Sequence, residues 1–119
     1  MDSLLSQITC DDISALTGCV VAPLLSYGIS RNLKPENGYF GTVDTIRVET
    51  LVNLLVDLGA SHAKMGFKMA VVISGHGETD HFKAINSAIS DSKEIQLIML
   101  SAYDFTKEMI EELDDVEKT

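Results

Sequence analysis

The sequence predicts an α/β fold, a three-layer α/β/α arrangement around a mainly parallel sheet. Three observations carry that expectation. Three short runs are apolar almost throughout, "CVVAP" at 19–23, "MAVVIS" at 69–74 and "IQLIML" at 95–100, the pattern of strands covered on both faces rather than strands with one wet side. The stretches between them repeat apolar residues at helical rather than alternating spacing. Each run also opens into a loop, "LSYGIS", "GHGETDH" and "SAYDF" respectively. Right-handed crossovers would bring those three loops to one edge of the sheet, outside the carboxyl ends of the strands, where ligands collect.

Taken in order, residues 3–16 place Leu5, Ile8 and Leu16 near helical spacing with Gly18 just beyond, so a short helix ending at a glycine is expected. "CVVAP" reads as the first strand, β-branched and closed by Pro23. Residues 24–45, rich in Gly, Asn, Pro and Tyr and without a period, are a long loop, and long loops inside compact domains tend to serve function. Val48, Leu51, Val52, Leu55 and Leu58 form an apolar face wide enough to suggest burial on more than one side, with Gly66 ending the turn and His62 at the surface. "MAVVIS" is the second strand, Phe82, Ile85 and Ile89 mark another helix, and "IQLIML" is the third strand. Residues 104–119 form a last acidic helix or tail.

Composition limits the function classes. A chain of 119 residues with 45% hydrophobic side chains has enough apolar surface for one core, so residues 1–119 read as a single domain. No apolar run approaches the roughly 20 residues of a membrane span, and the N-terminus lacks the basic start of a secretory signal. No membrane is expected, and the default location is cytoplasmic. Cys10 and Cys19 read as reduced, small apolar residues. The net charge of −9 argues against nucleic acid, because phosphate binding needs clustered Lys and Arg. Residues 104–119 hold seven acids against two lysines, −5 of that total. Such a run reads as a solvated helix face or tail.

The chemistry concentrates in "GHGETDH", where the second strand ends. In an extended segment, residues two apart point the same way at about 6.5 Å spacing, so His76 and Glu78 can address one site or two neighbouring ions. Gly75 and Gly77 let the backbone turn and approach a ligand closely. An imidazole with carboxylates suits zinc or manganese, and two such ions about 3.5 to 4 Å apart would activate a water for hydrolysis. The competing reading is structural: a polar turn with Thr79 or Asp80 as N-cap of the next helix, Asp80 and His81 belonging to that cap. Other motifs are missing. The loop lacks the register of a dinucleotide turn or a phosphate loop, and no serine sits in a nucleophile elbow.

The order of motifs over roughly residues 19–106 resembles the creatininase family of metal-dependent amidohydrolases. Those proteins show a Pro-x-x-x-Tyr-Gly loop, here Pro23, Tyr27 and Gly28, then a turn matched by Phe40, Gly41 and Thr42. A helix then closes on Gly66 and Phe67, and an Asn-Gly-His-x-x-Asn loop is matched by Gly75 and His76, with Ser74 and Thr79 replacing the asparagines. The resemblance implies a creatininase-like fold in which His76 and Glu78 hold metal, zinc or manganese as one or two ions. Asp2, heading a D-x-L-L helix start, would match the aspartate that bridges them. Tyr103 and Asp104 would lie near the substrate and, with Glu78, take catalytic parts, while Tyr27, Gly28, Gly41, Thr42, Gly75 and Gly77 would form the substrate loops. Family members also carry an earlier strand ending in Glu-x-His and a later region with His and Glu-Thr-Ser. The resemblance therefore implies a chain that would correspond to the middle of such a protein, truncated at both ends.

Three functions follow as expectations. The first is hydrolysis of a C–N bond in a small or cyclic amide. The second is a noncatalytic α/β binding or assembly module with a vestigial metal loop. The third, a receiver-like or flavodoxin-like signalling domain, lacks the Asp pair expected after an early strand. A partial sheet also predicts pairing of edges or apolar faces between copies, so a homo-oligomer is expected.

Overall fold

The structure is a computed structural model that describes residues 2–30 and 46–104, with Asp2 described in its backbone alone. Phe40, Gly41, Thr42 and the acidic segment beyond Asp104 lie outside the described residues. The order is helix α1 (Asp2–Thr17), helix α2 (Val48–Lys64), strand β1 (Met69–Ser74), helix α3 (Thr79–Asp91) and strand β2 (Gln96–Ser101). β1 and β2 are hydrogen-bonded neighbours in a parallel sheet, with α3 as the crossover between them. The fold is α/β, as the apolar runs predict.

The described residues divide into two compact units. One holds residues 25–30, 46–72 and 76–99; the other holds 2–24, 73–75 and 100–104.

The core of the first unit follows from its sequence periods. α2 buries Leu51, Val52, Leu55 and Gly59, and α3 buries Ala84, Ile85 and Ala88. Apart from Gly59, these form one apolar cluster with Leu97 and Ile29, and Ala70, Val72 and Met99 pack against it from the strands. The two helices pack on each other, and Gly59 is what lets α2 come close to Ile95, just before β2. A Cβ at Gly59 would lie 2.9 Å from Ile95 Cγ2. Among the described residues the strands are not covered on both sides: Met69 and Val71 stay exposed, alternating with Ala70 and Val72. The wide apolar face of α2 is likewise buried on one side, since Leu54 is exposed.

The helix ends show why the chain turns where it does. α2 ends in the left-handed turn at Gly66, φ +100°. The Phe67 N–H donates to His62 O at 3.2 Å and the Gly66 N–H to Ala63 O at 3.0 Å, the Schellman pattern that satisfies carbonyls left open by the helix. The His62 and Phe67 rings meet edge to face across this cap at 6.2 Å, so His62 is half-buried rather than a plain surface residue.

The second unit departs from expectation in two places. α1 runs to Thr17 with Gly18 at φ +74°, as predicted. Its buried positions, however, are Ser6 and Thr9, while Ile8 is exposed and Leu16 is 87% exposed. The Thr9 hydroxyl can go inside because it donates to Leu5 O at 2.8 Å. Residues 19–23 are not a strand. The Cys19 backbone is engaged by the end of α1, its carbonyl accepting from Ser14 Oγ at 2.7 Å and its N–H donating to Thr17 Oγ1 at 3.3 Å. Val20 is 75% exposed, so this β-branched run has neither a ladder nor a cover.

Candidate functional site

β1 delivers its carboxyl end to Ser74, which is buried, and Gly75 opens the turn into α3. Three side chains of that turn and helix start have defined partners. His76 Nε2 lies 2.8 Å from Ile29 O and 3.1 Å from Ser30 Oγ. His81 Nδ1 accepts the Ile29 N–H at 3.1 Å. Glu78 is the N-cap of α3, its carboxylate accepting the Asp80 N–H at 3.2 Å. The expected cap residues, Thr79 and Asp80, instead occupy the first helical turn, because the longer Glu78 side chain folds back onto the open amide.

The two imidazoles hold one residue from both sides of its Cα. Ile29 is 0% exposed, so its polar backbone groups need partners inside the protein, and the histidines supply one each. The rings stand 5.1 Å apart at 76°, and His81 also edges Phe82 at 6.4 Å. The His81 ring sits directly over Gly28: a Cβ there would lie 2.6 Å from Cε1 and 2.8 Å from Nδ1. Glycine is needed at 28 for close approach, not for φ, since among the described residues the positive-φ glycines are Gly18 and Gly66.

The tautomers follow from the partners. A carbonyl oxygen only accepts, so His76 carries a proton on Nε2. An amide N–H only donates, so His81 is unprotonated at Nδ1. Metal-binding imidazoles commonly donate their second ring N–H to a backbone carbonyl, which fixes the ring and its tautomer. His76 Nε2 has that contact, to Ile29 O.

The expected site residues fall in both compact units. His76 and the 28–30 backbone come together, and Tyr27 beside them is 66% exposed. Gly77 lies open on the turn, where a Cβ would meet nothing within 4 Å. Glu78 turns its carboxylate to the α3 N-terminus. Gly75 belongs to the unit of α1, as do Tyr103 and Asp104 just after β2, where the Tyr103 N–H donates to Ser101 Oγ at 3.3 Å. Among the described residues no three of His, Cys, Asp and Glu form a group able to hold a metal ion. The side chain of Asp2 lies outside the described residues. Sequence reasoning missed His81 as a partner of the Tyr27-Gly28 loop. The available signal was two histidines five residues apart across a strand-to-helix turn.

The family model for creatininase, creatinine amidohydrolase, matches residues 1–118. The chain belongs to the creatininase family. Amidohydrolase-type chemistry on small amides is what that membership suggests, in a family that is generally metal-dependent. No curated protein and no solved structure matches the chain significantly. No described helix is long and apolar enough to cross a membrane. Within this creatininase-family chain, the Gly75–Glu78 turn stands at the carboxyl end of a parallel strand, the position where α/β sheets place ligands.

Proposed function

We propose that the chain is a metal-dependent hydrolase of a C–N bond in a small or cyclic amide, and that His76 Nδ1 is its first ligand atom. The observation that carries this reading is the His76 Nε2 contact to Ile29 O at 2.8 Å, which orients the ring as metal-binding imidazoles are oriented. Glu78 is the second ligand. Joining the metal means giving up its capping hydrogen bond, which costs about 1 kcal/mol. Asp2 is proposed as a further ligand, and Tyr103 and Asp104 as groups near the substrate. The Tyr27-Gly28, Gly41-Thr42 and Gly75–Gly77 segments are proposed as its walls. Bound zinc or manganese would polarise the amide carbonyl and activate water.

A second reading has its own support. His76, His81 and Glu78 all have structural duties in the described fold, which suits a noncatalytic binding or assembly module. Metal content after dialysis separates the two. The hydrolase reading expects near-stoichiometric zinc or manganese that is lost in His76→Ala and reduced in Glu78→Ala. A chain that retains no metal favours the module. A homo-oligomer is proposed from exposed apolar residues, Met69 and Val71 on β1 and Leu4 and Ile8 on α1, and light scattering showing a monomer would reject it. The free Cys10 and Cys19 thiols support a reducing, cytoplasmic location.

A further inference from the structure

We propose that Cys10 and Cys19 are a dithiol pair that closes to a reversible intramolecular disulfide across the end of α1, with a small disulfide such as oxidised glutathione as the oxidant. Both residues belong to the unit of α1, and the amidohydrolase reading uses neither of them.

The reversal of the chain at Gly18 brings them together. Gly18 is left-handed, φ +74°, and its N–H closes the end of α1 on Ser14 O at 2.8 Å. Cys19 is then drawn back along the helix: its carbonyl accepts from Ser14 Oγ at 2.7 Å, and its N–H donates to Thr17 Oγ1 at 3.3 Å. Helical side chains lean toward the N-terminus, so Ser14 Oγ stands over the turn before its own, the turn that carries Cys10 four residues earlier. The hydroxyl thus holds Cys19 beside the face from which Cys10 projects. Electrostatics agree with this placement. The Cys10 pKa is held above its ordinary value by burial first, then by the negative charge of Asp11 and then by that of an ionised Cys19, which puts the two sulfurs within electrostatic reach. Closing the bond needs Cα atoms about 4.4 to 6.8 Å apart. Cys19 is the partner able to adjust, because it is exposed and lies beyond the last helical residue, whereas Cys10 is half-buried in mid-helix.

Exposure also sets the order of the chemistry. The Cys19 thiolate attacks oxidised glutathione, forming a mixed disulfide and expelling one glutathione thiolate. The Cys10 thiolate then attacks the Cys19 sulfur, and the second glutathione leaves. Two protein thiols are oxidised, one glutathione disulfide is reduced, and the two thiol protons of the protein end on the two glutathiones. In a reducing compartment such a pair stays open and closes transiently under oxidant, which makes it a redox-responsive fastening of α1 rather than a permanent staple.

The test equilibrates the full chain with mixtures of reduced and oxidised glutathione and counts free thiols by alkylation and intact mass. The chain has two cysteines, so each product is distinguishable. The wild type is expected to lose both thiols together, run as a single chain on a non-reducing denaturing gel, and carry no glutathione at equilibrium. Closure is expected to be at least about tenfold more favourable in the folded chain than in urea, because the fold supplies part of the approach. Cys10→Ser is expected to stop at a glutathione adduct on Cys19. Ser14→Ala, which frees Cys19 from the helix end, is expected to lower the folded-state preference about two- to tenfold, the worth of one hydrogen bond, with Ser14→Thr retaining it. A persistent glutathione adduct on wild-type Cys19, disulfide-linked dimers in place of the single chain, or closure no more favourable when folded than in urea overturns the proposal. An unchanged preference in Ser14→Ala overturns the part assigned to the helix end. The wild-type and urea measurements need no variant to fold, so they decide the pairing by themselves.

Discussion

Replacing Gly28 with alanine tests whether the two histidines really clamp the 28–30 segment. The backbone at Gly28 is not in the left-handed region, so alanine is conformationally allowed. On backbone grounds alone it should stabilise the protein by about 0.4 to 1 kcal/mol, by restricting the unfolded chain. The packing predicts the opposite sign. The added Cβ would sit 2.6 Å from His81 Cε1 and 2.8 Å from Nδ1, so the ring must swing away or the segment must shift. Either movement breaks the Ile29 N–H bond to Nδ1. A buried amide without its partner costs about 1 to 3 kcal/mol, and Ile29 has no exposure with which to recover that from water. The net expectation is a loss of about 1 to 2 kcal/mol. With a urea dependence of about 1 to 3 kcal/mol per molar, the unfolding midpoint should fall by roughly 0.3 to 2 M at constant slope. In a His81→Ala background the space opens and the same substitution should be neutral or stabilising. A midpoint that is unchanged or raised in the wild-type background would refute the clamp.

Other predictions concern the elements that frame the turn. Glu78→Ala removes the N-cap bond to Asp80 N–H and should cost about 0.5 to 2 kcal/mol in denaturant unfolding, with Glu78→Ser largely preserving the cap. Gly59→Val brings side-chain atoms into Ile95, already 2.9 Å from a Cβ at that position. It should destabilise by about 1 to 3 kcal/mol through overpacking, read as a lower thermal midpoint. The Cys10 thiol is held above its ordinary pKa, first by burial, then by the negative charges of Asp11 and Cys19. The thiolate is the reactive form, so Cys10 should alkylate more slowly than a small free thiol at the same mildly alkaline pH, with the gap closing as pH rises further.

What the sequence made legible were the elements whose period and punctuation agree. α2 and α3 carry apolar residues at helical spacing, and Gly66 marks the end of one of them at a true left-handed turn. β1 and β2 fall on the two runs expected for them, within a residue. The run at 19–23 has the same β-branched composition, but composition says nothing about whether a ladder partner exists or whether Ser14 and Thr17 will take the backbone first. The face of α1 misleads for a related reason: a threonine can be buried when its hydroxyl bonds back to its own helix, which leaves Ile8 and Leu16 outside. At the candidate site, the strand-to-helix turn that carries His76 and Glu78 was readable, but not that Glu78 would cap α3. The partner of His76 was not, because it is a main-chain carbonyl 47 positions away, and backbone acceptors leave no mark in a sequence. The family resemblance, carried by Pro23, Tyr27, Gly28, Gly66, Phe67, Gly75 and His76, agrees with the family model that spans residues 1–118.

Whether His76 Nδ1 is a ligand atom is decided by a Zn²⁺ titration of the chain followed at the ring nitrogens of His62, His76 and His81. On binding, the His76 Nδ1 signal is expected to shift while its Nε2 stays protonated and bonded to Ile29, with His81 retaining its Ile29 N–H. A His76 ring that remains unchanged at saturating Zn²⁺, or a response confined to His62 or His81, would contradict the assignment.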